Sequence, residues 1–544
     1  MKLARPWEFD GNLVEDRIKK VDASDNFSVH IGPEKKIEFN LFNLHEKLDG
    51  LASLGPYHLI ISSFEINRKI ITTSLDTDFN HHWECYRKLN RYYKDKDIFW
   101  YDHCVANRAY FISTLLSIFD GSISLKDSYS QALADLKLCL DWLSDKKNYN
   151  FFSNHGLITD LYGSLACTNL TSEKYFKNRL DDFVNRAINR VDHFISDDGV
   201  PLESSTSYWF LIHSMYSILC DISDSFEICS TEKCRNKLIK FENLVSQHKI
   251  DKRMCRIGVS VDVKPHILED FPEVNVPNNW ENTLKVDIYD TGLVFFNFFG
   301  PHGFRQQFLF NCQNIRGDFL NYPECLAVYH MDSNVTWINP PGSIKTIFSD
   351  QHNYAISFKN QSIPVADSIG YRGNNLPELY IYSKQDEEIT VIGKLAMGLG
   401  VYITREIKIC KGSSEFVIKD YINRGDLSSQ FLLNQDAKVL IGEKQSRVVA
   451  NDHVLNISHP LGKPELRNGY IQLDRKEQLT ESKMILFTNA KNIIQFKLCG
   501  NINRILANTP KNLPYRGRKN KWPIRKKFTR LKRDLQVYKN IVCS

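Results

Sequence analysis

Two short segments concentrate the side chains that could do chemistry. In Ser153-Asn154-His155-Gly156 an amide and an imidazole stand side by side. The second segment runs from Glu203 through ESSTSYW and ends on Tyr208 and Trp209. Amides and imidazoles donate hydrogen bonds to an anion, and a phenol can carry a proton. With an unperturbed pKa of about 10, a tyrosine is a base only where cations or donors favour the phenolate. Each residue also has a plainer reading. Ser-Asn-His-Gly ahead of LITDLYGSL suits a helix N-cap, and Tyr208 could be a core tyrosine with a satisfied hydroxyl. Glu203 reads as a brace held by hydrogen bonds. Arg108, in WYDHCVANRAY, either points into a cleft or, the favoured reading, pairs with an acidic neighbour. His103 and His213 read as satisfied helix histidines, and His81 and His82 as loop residues.

The elements around these residues change character along the chain. From about residue 40 to 250 apolar residues recur at helical spacing, as in WYDHCVANRAYFISTLLSIF and YFKNRLDDFVNRAINRVDHFI. Helices in series predict helical hairpins packed side by side. After about residue 283, segments such as VYITREIKIC and SEFVIKDYIN alternate at period two between turn residues. They predict a sandwich of antiparallel strands. The expected division is an N-terminal extension over 1–40, a helical domain over 41–260, a proline-rich linker over 261–282, an antiparallel β-sandwich over 283–508 and a basic tail over 509–544.

The 544 residues exceed one ordinary core, so two large domains are expected. The 13 cysteines form no CxxC pair and mostly lie in apolar patterns, which fits reduced, buried thiols. No apolar stretch follows the first basic residues, and no run of roughly eighteen apolar residues occurs. A cytoplasmic protein is therefore expected, with its tail peripheral to the inner face of the membrane. From Lys511 onward there are 12 Lys/Arg and one Asp against a chain total of +6, so the rest carries −5. In that tail Ile524, Phe528, Leu531, Leu535 and Tyr538 fall on one helical face. Such a helix suits an anionic membrane surface or an acidic polysaccharide. Specific nucleic-acid recognition is not expected.

Three segments in order resemble the heparinase II/III-like polysaccharide lyases: WYDHCVANRAY, NYNFFSNHGLITDLYGSLA and DDGVPLESSTSYWFLIHSMY. Asn154 and Tyr208 stand 54 positions apart, as in that family's arrangement. A fourth segment, SDQHNYAISFKN, resembles a β-domain strand at His352 and Asn353. The resemblance covers residues 95 to 360 and implies an incomplete (α/α) toroid followed by a large antiparallel β-sandwich, extending to about residue 505. It also implies chemistry on a uronate, in which a base removes the C5 proton beside a carboxylate that must be neutralised by hydrogen bonds. By resemblance Asn154 binds that carboxylate, Tyr208 transfers protons and His155 assists. Arg316, Arg108, Glu203, His352 and Trp209 are the implied substrate contacts.

The family's His-x-His-x-Asp segment is replaced here by NIRGDF, with Asn314 and Arg316 in the histidine positions and Asp318 retained. Its Asp-Pro-Gly becomes NPPG, with Asn339 or Pro340 in the aspartate position. His352 alone makes no metal site, because structural zinc takes about four ligands. No metal and no cofactor are expected. Three readings stay open: a lyase in capsule or surface-polysaccharide metabolism, a C5-epimerase of the same fold, or a degenerate glycan-binding scaffold.

Overall fold

The structure, a computed structural model, describes residues 18–20, 26–31, 35–40 and, apart from internal stretches, 78–501. The longer internal stretches outside the description are 273–283, 300–304, 314–324, 343–356, 367–376 and 472–478. Arg316, His352 and the basic tail therefore lie outside the described residues, as do Asn314, Asp318 and Asn353.

Near the N-terminus β1 (Ile18–Lys20), β2 (Asn26–Ile31) and β3 (Lys35–Asn40) form a small antiparallel sheet. The helical half follows. It comprises α1 (Phe79–Tyr93), α2 (Asp102–Ser117), α3 (Lys126–Ser144), α4 (Asn154–Thr168), α5 (Lys174–Ile188), α6 (Thr206–Phe226), α7 (Glu232–His248) and the short α8 (Pro265–Glu269). Asp78 caps α1 by accepting from the amides of Asn80 and His81 at 3.0 and 3.3 Å. His81 and His82, expected in a loop, thus sit in its first turn.

α4 is the central helix, buried from Gly156 through Cys167. It packs between α2 and α5 with α6 against it. α5 shows why its period was legible: Phe176, Leu180, Phe183, Val184 and Ala187 form one buried stripe. Gly163 lets α4 approach that stripe closely, since a β-carbon there would lie 2.8 Å from the Phe183 ring.

The β half begins with a five-stranded meander: β4 (Leu284–Ile288), β5 (Leu293–Phe299), β6 (Arg305–Asn311), β7 (Ala327–Asp332) and β8 (Thr336–Ile338). After β9 (Pro364–Ala366) come β10 (Pro377–Ser383), β11 (Glu388–Gly398), β12 (Val401–Cys410) and β13 (Glu415–Ile422). The last strands are β14 (Leu427–Leu432), β15 (Lys438–Ile441), β16 (Gln445–Ala450), β17 (His453–Ser458), β18 (Glu465–Ile471), β19 (Thr480–Thr488) and β20 (Lys491–Asn501). They make an eight-stranded sheet ordered β10-β11-β12-β13-β20-β17-β16-β15 and a four-stranded sheet ordered β18-β19-β14-β9. Every pairing is antiparallel.

The five-stranded sheet is covered on both faces. Phe296, Phe308 and Phe310 meet Phe416 and Phe496 of the eight-stranded sheet in one core. The alternate residues Phe295, Leu309, Tyr329 and Met331 pack against Trp209 and Phe210 of α6 and Phe241 and Leu244 of α7. Double coverage explains why β6 and β7 are buried along nearly their whole length rather than at alternate residues. Ile267, Leu268 and Phe271, from the segment expected to be a linker, join the same interface. Lys249 fastens them by donating to the carbonyls of Leu268 and Phe271 at 2.9 and 2.5 Å. Between the sheets, Arg405 and Asp420 form a fully buried bidentate pair at 2.7 Å, and Arg405 also donates to the Leu326 and Ser362 carbonyls.

The architecture is an incomplete (α/α) toroid followed by an antiparallel β-sandwich. Two buried histidines give its stability a pH dependence. Burial holds His248 well below its ordinary pKa and pushes His330 down to about 3. An unfolded chain takes up those protons from about pH 6.5 downward. The contribution of His330 is therefore full above about pH 6.5 and is lost as pH falls toward its folded value. The thermal midpoint should fall between pH 7 and 4, and His330→Gln should make that decline shallower. An unchanged slope in the variant would contradict this assignment.

Candidate functional site

Three helices begin at one place. α2 opens on Asp102, α4 on Asn154 and His155, and α6 carries Tyr208 in its first turn. The Asp102 carboxylate accepts from the His103 amide at 2.7 Å. It also meets Nδ1 of His155 at 3.1 and 3.2 Å, and Oη of Tyr101 lies 3.3 Å from the same nitrogen. The rings of His103 and His155 lie 4.1 Å apart between centroids. Helix N-termini carry partial positive charge, so this convergence suits an anionic ligand.

Burial pushes the Asp102 carboxyl up, but the hydrogen bond from His155 and the nearby His103 outweigh it and hold the group below its ordinary value. An ionised Asp102 only accepts, so Nδ1 of His155 carries the proton and Nε2 is left as the second site on the ring. Burial, then the Asp102 charge, Cys104 and Tyr208, push the Tyr101 phenol up to about 12. Tyr101 is therefore a protonated donor at neutral pH, and Tyr208 is one of its electrostatic neighbours.

Ser153, not Asn154, caps α4: its Oγ accepts from the His155 amide at 3.3 Å. Asn154 is buried and stands one position inside the helix, outside the capping role first read for it. Tyr208 is partly buried against the helical core.

Beside these residues opens a cleft of about 500 Å³ lined by Trp100, Tyr101, Asp102, Trp142, Lys147, Tyr149 and Phe151, among others. Phe151 and Tyr101 are exposed, and Trp100 and Trp142 pair at 6.3 Å. Aromatic faces offer apolar surface for stacking, and one lysine beside them attracts negative charge.

Under the cleft lies a buried polar strut. Tyr149 donates to Asp160 at 2.7 Å, Arg186 donates to Asp160 at 2.7 Å, and Arg190 donates to the Tyr149 oxygen. The Arg186 guanidinium sits 3.9 Å over the Tyr149 ring. Burial pushes Asp160 up to about 6 against the pull of Arg186.

Some expected contacts are elsewhere. Trp209 is fully buried in the interface with β5–β7, where its indole donates to the Glu203 carbonyl at 2.7 Å. Successive helical residues point about 100° apart, so Tyr208 and Trp209 face different cores. Arg108 is also buried, donating to the Phe99 carbonyl at 2.8 Å with its guanidinium 3.5 Å over the Phe99 ring. It is a core arginine that donates to that carbonyl and to the Cys139 thiol, and its charge also acts on the nearby carboxylate of Asp135. His213 meets Glu242 at 3.0 Å, a helix-to-helix contact. Asn339 accepts from Arg256 at 3.0 Å inside the helix–sheet junction. Tyr101, Asp102 and His103 were missed as a group, although they sit in the same WYDH segment that carries the resemblance.

Removing the strut's carboxylate leaves the partly buried Arg186 without its counter-charge and the Tyr149 hydroxyl, which Arg190 supports, without its acceptor. Asp160→Ala should cost about 3–5 kcal/mol in denaturant unfolding. A loss below about 1 kcal/mol, the range of an exposed pair, would mean that the strut does not hold the cleft floor.

No known family profile matches the chain, and no curated protein matches it. Solved structures match over most of its length. A crystal structure of heparinase III aligns with TM-score 0.67 at 13% identity, covering 92% of this chain and 86% of that one. A mutant of the heparan sulfate lyase HepC from Pedobacter heparinus aligns with TM-score 0.60 at 12% identity, over 92% and 84%. The lysine-methylated heparinase III BT4657 gene product aligns with TM-score 0.60 at 12% identity, over 88% and 79%. Among the described residues no helix is long and apolar enough to cross a membrane. This chain has the heparinase II/III-like polysaccharide lyase fold.

Proposed function

We propose that the protein is a polysaccharide lyase that cleaves a uronate-containing polysaccharide by β-elimination, with Tyr208 and Asn154 as its central residues. The observation that carries this reading is the meeting of the first turns of α2, α4 and α6 beside an aromatic cleft. It brings the phenols of Tyr101 and Tyr208, the Asp102–His155 pair and Asn154 into one neighbourhood. The fold shared with heparinase III and heparan sulfate lyase structures supports the same class.

In the proposed reaction, sugar rings rest on the aromatic wall and the uronate carboxylate meets the amide of Asn154. His155, held by Asp102 through Nδ1, stands beside it and donates from Nε2 as the imidazolium. Hydrogen bonds there stabilise the charge that builds on the carboxylate as C5 loses its proton. The phenolate of Tyr208 takes that proton. The electron pair becomes the C4–C5 double bond, the C4–O glycosidic bond breaks, and the leaving oxygen takes a proton back from Tyr208. Protons and charge balance over the cycle.

The test is the rise in ultraviolet absorbance of the unsaturated uronate on heparosan, chondroitin, hyaluronan and alginate. Tyr208→Phe should lower the rate on the responsive polymer by about 10²-fold or more. Asn154→Ala should lower it by about 10²–10³-fold. Undiminished turnover by Tyr208→Phe would overturn the assignment. Deuterium uptake at C5 without an absorbance rise would replace elimination by epimerisation.

A further inference from the structure

Asp102, His103 and His155 each offer one ligand atom, and these atoms all lie within 4.8 Å of one another. No metal was expected from the sequence, because the β-domain positions that could supply one have changed. The helical half nevertheless builds a donor set of its own, in the first turns of α2 and α4.

The spacing fits a small divalent ion. A tetrahedral ion with bonds of about 2.0–2.1 Å keeps neighbouring donors about 3.3 Å apart. Nδ1 of His155 lies 3.1 and 3.2 Å from the two carboxylate oxygens of Asp102. The hydrogen bond joining them spans nearly the separation that two ligands on one ion would take. The His103 ring lies alongside, 4.1 Å from His155 between centroids, so a modest rotation about its side-chain torsions completes the set. The carboxylate and both imidazoles are partly buried, the side chains of Asp102 and His155 being 12% and 13% exposed. Partial burial favours a bound ion over free hydration while keeping a path to solvent.

Two imidazoles and one carboxylate with a position left open is the donor set of catalytic rather than structural sites. The donor set stands at the edge of the cleft, which Asp102 and its neighbour Tyr101 line. We propose that Asp102, His103 and His155 bind one divalent transition-metal ion of the zinc or manganese class, whose open position takes an anionic oxygen of the ligand in the cleft. On the lyase reading, that oxygen belongs to the uronate carboxylate, and the ion supplies the neutralising charge that Asn154 supplies only as hydrogen bonds. The binding site itself does not depend on that reading.

Metal-free full-length protein would be titrated calorimetrically with zinc chloride and with manganese chloride. The proposal expects one saturable equivalent, a rise in thermal midpoint that a chelator reverses, and visible absorption when cobalt(II) is bound instead. Asp102→Asn and His103→Gln should each weaken binding at least 100-fold while leaving the metal-free thermal midpoint near that of the wild type. His155→Gln serves as a third variant should either of these unfold. Absence of a saturable equivalent in the wild type overturns the site, and so does undiminished binding in the Asp102→Asn/His103→Gln double variant. Binding without turnover of any uronate polymer would sink the lyase reading and leave the metal site standing. Turnover in the presence of a chelator, with no binding, would do the reverse.

Discussion

A carboxylate with no exposed surface keeps its charge only if its surroundings supply the compensation that water would have given. Asp160, in the middle of α4, is such a group. Arg186 of α5 and the hydroxyl of Tyr149 supply that compensation, and Arg190 in turn supports the Tyr149 oxygen. The segment bearing Tyr149 is thereby tied to two helices at once. Because Tyr149 also lines the cleft, the wall that a sugar would touch is fixed by a charge pair beneath it. Gly156 closes the same corner. A β-carbon there would lie 2.2 Å from the Asn150 carbonyl oxygen, so the turn ahead of α4 can fold down only over a glycine.

From that anchored corner the rest of the site follows. With the start of α4 pinned, His155 reaches Asp102 at the start of α2, and the packing of α6 on α4 brings Tyr208 to the same side. The β half holds α6 in place from behind. Trp209 and Phe210 are buried against β5–β7, and the opposite face of that sheet is buried against the eight-stranded sheet. His248 is stacked 3.8 Å from Phe295 and bonded to Tyr289 at 2.7 Å, so the end of α7 is fixed to the sheet as well. A helix held by apolar packing on one side can present polar residues on the other without drifting, which proton transfer requires.

Much of this was legible in the chain because periodicity reports burial. The stripe on α5 and the alternation on β12 and β13 are direct images of one-sided burial. Asn154 and His155 open α4 and Tyr208 lies in the first turn of α6, two helices that their apolar runs announce. What could not be read was direction. Trp209 follows Tyr208 in sequence yet faces another core, and only the contact with β5–β7 decides that. Arg108 could be read as facing a cleft or, preferably, an acidic neighbour, and sequence alone could not show that the Phe99 carbonyl and ring give it an interior home. Asp102 and His103 carry no helical period of their own, and their partner His155 lies more than fifty positions away. A pairing of that kind belongs to tertiary structure and leaves no local signal.

The central claim is that the cleft beside the starts of α2, α4 and α6 is where a uronate polymer is held and cut. The measurement that meets it most directly is a crystal structure of the Tyr208→Phe protein bound to a uronate oligosaccharide. The account predicts sugar rings against Trp100 and Trp142, a uronate carboxylate within hydrogen-bond distance of Asn154, and C5 facing position 208. An oligosaccharide bound at any other surface, or one in this cleft with its uronate turned away from Asn154 and position 208, would contradict it.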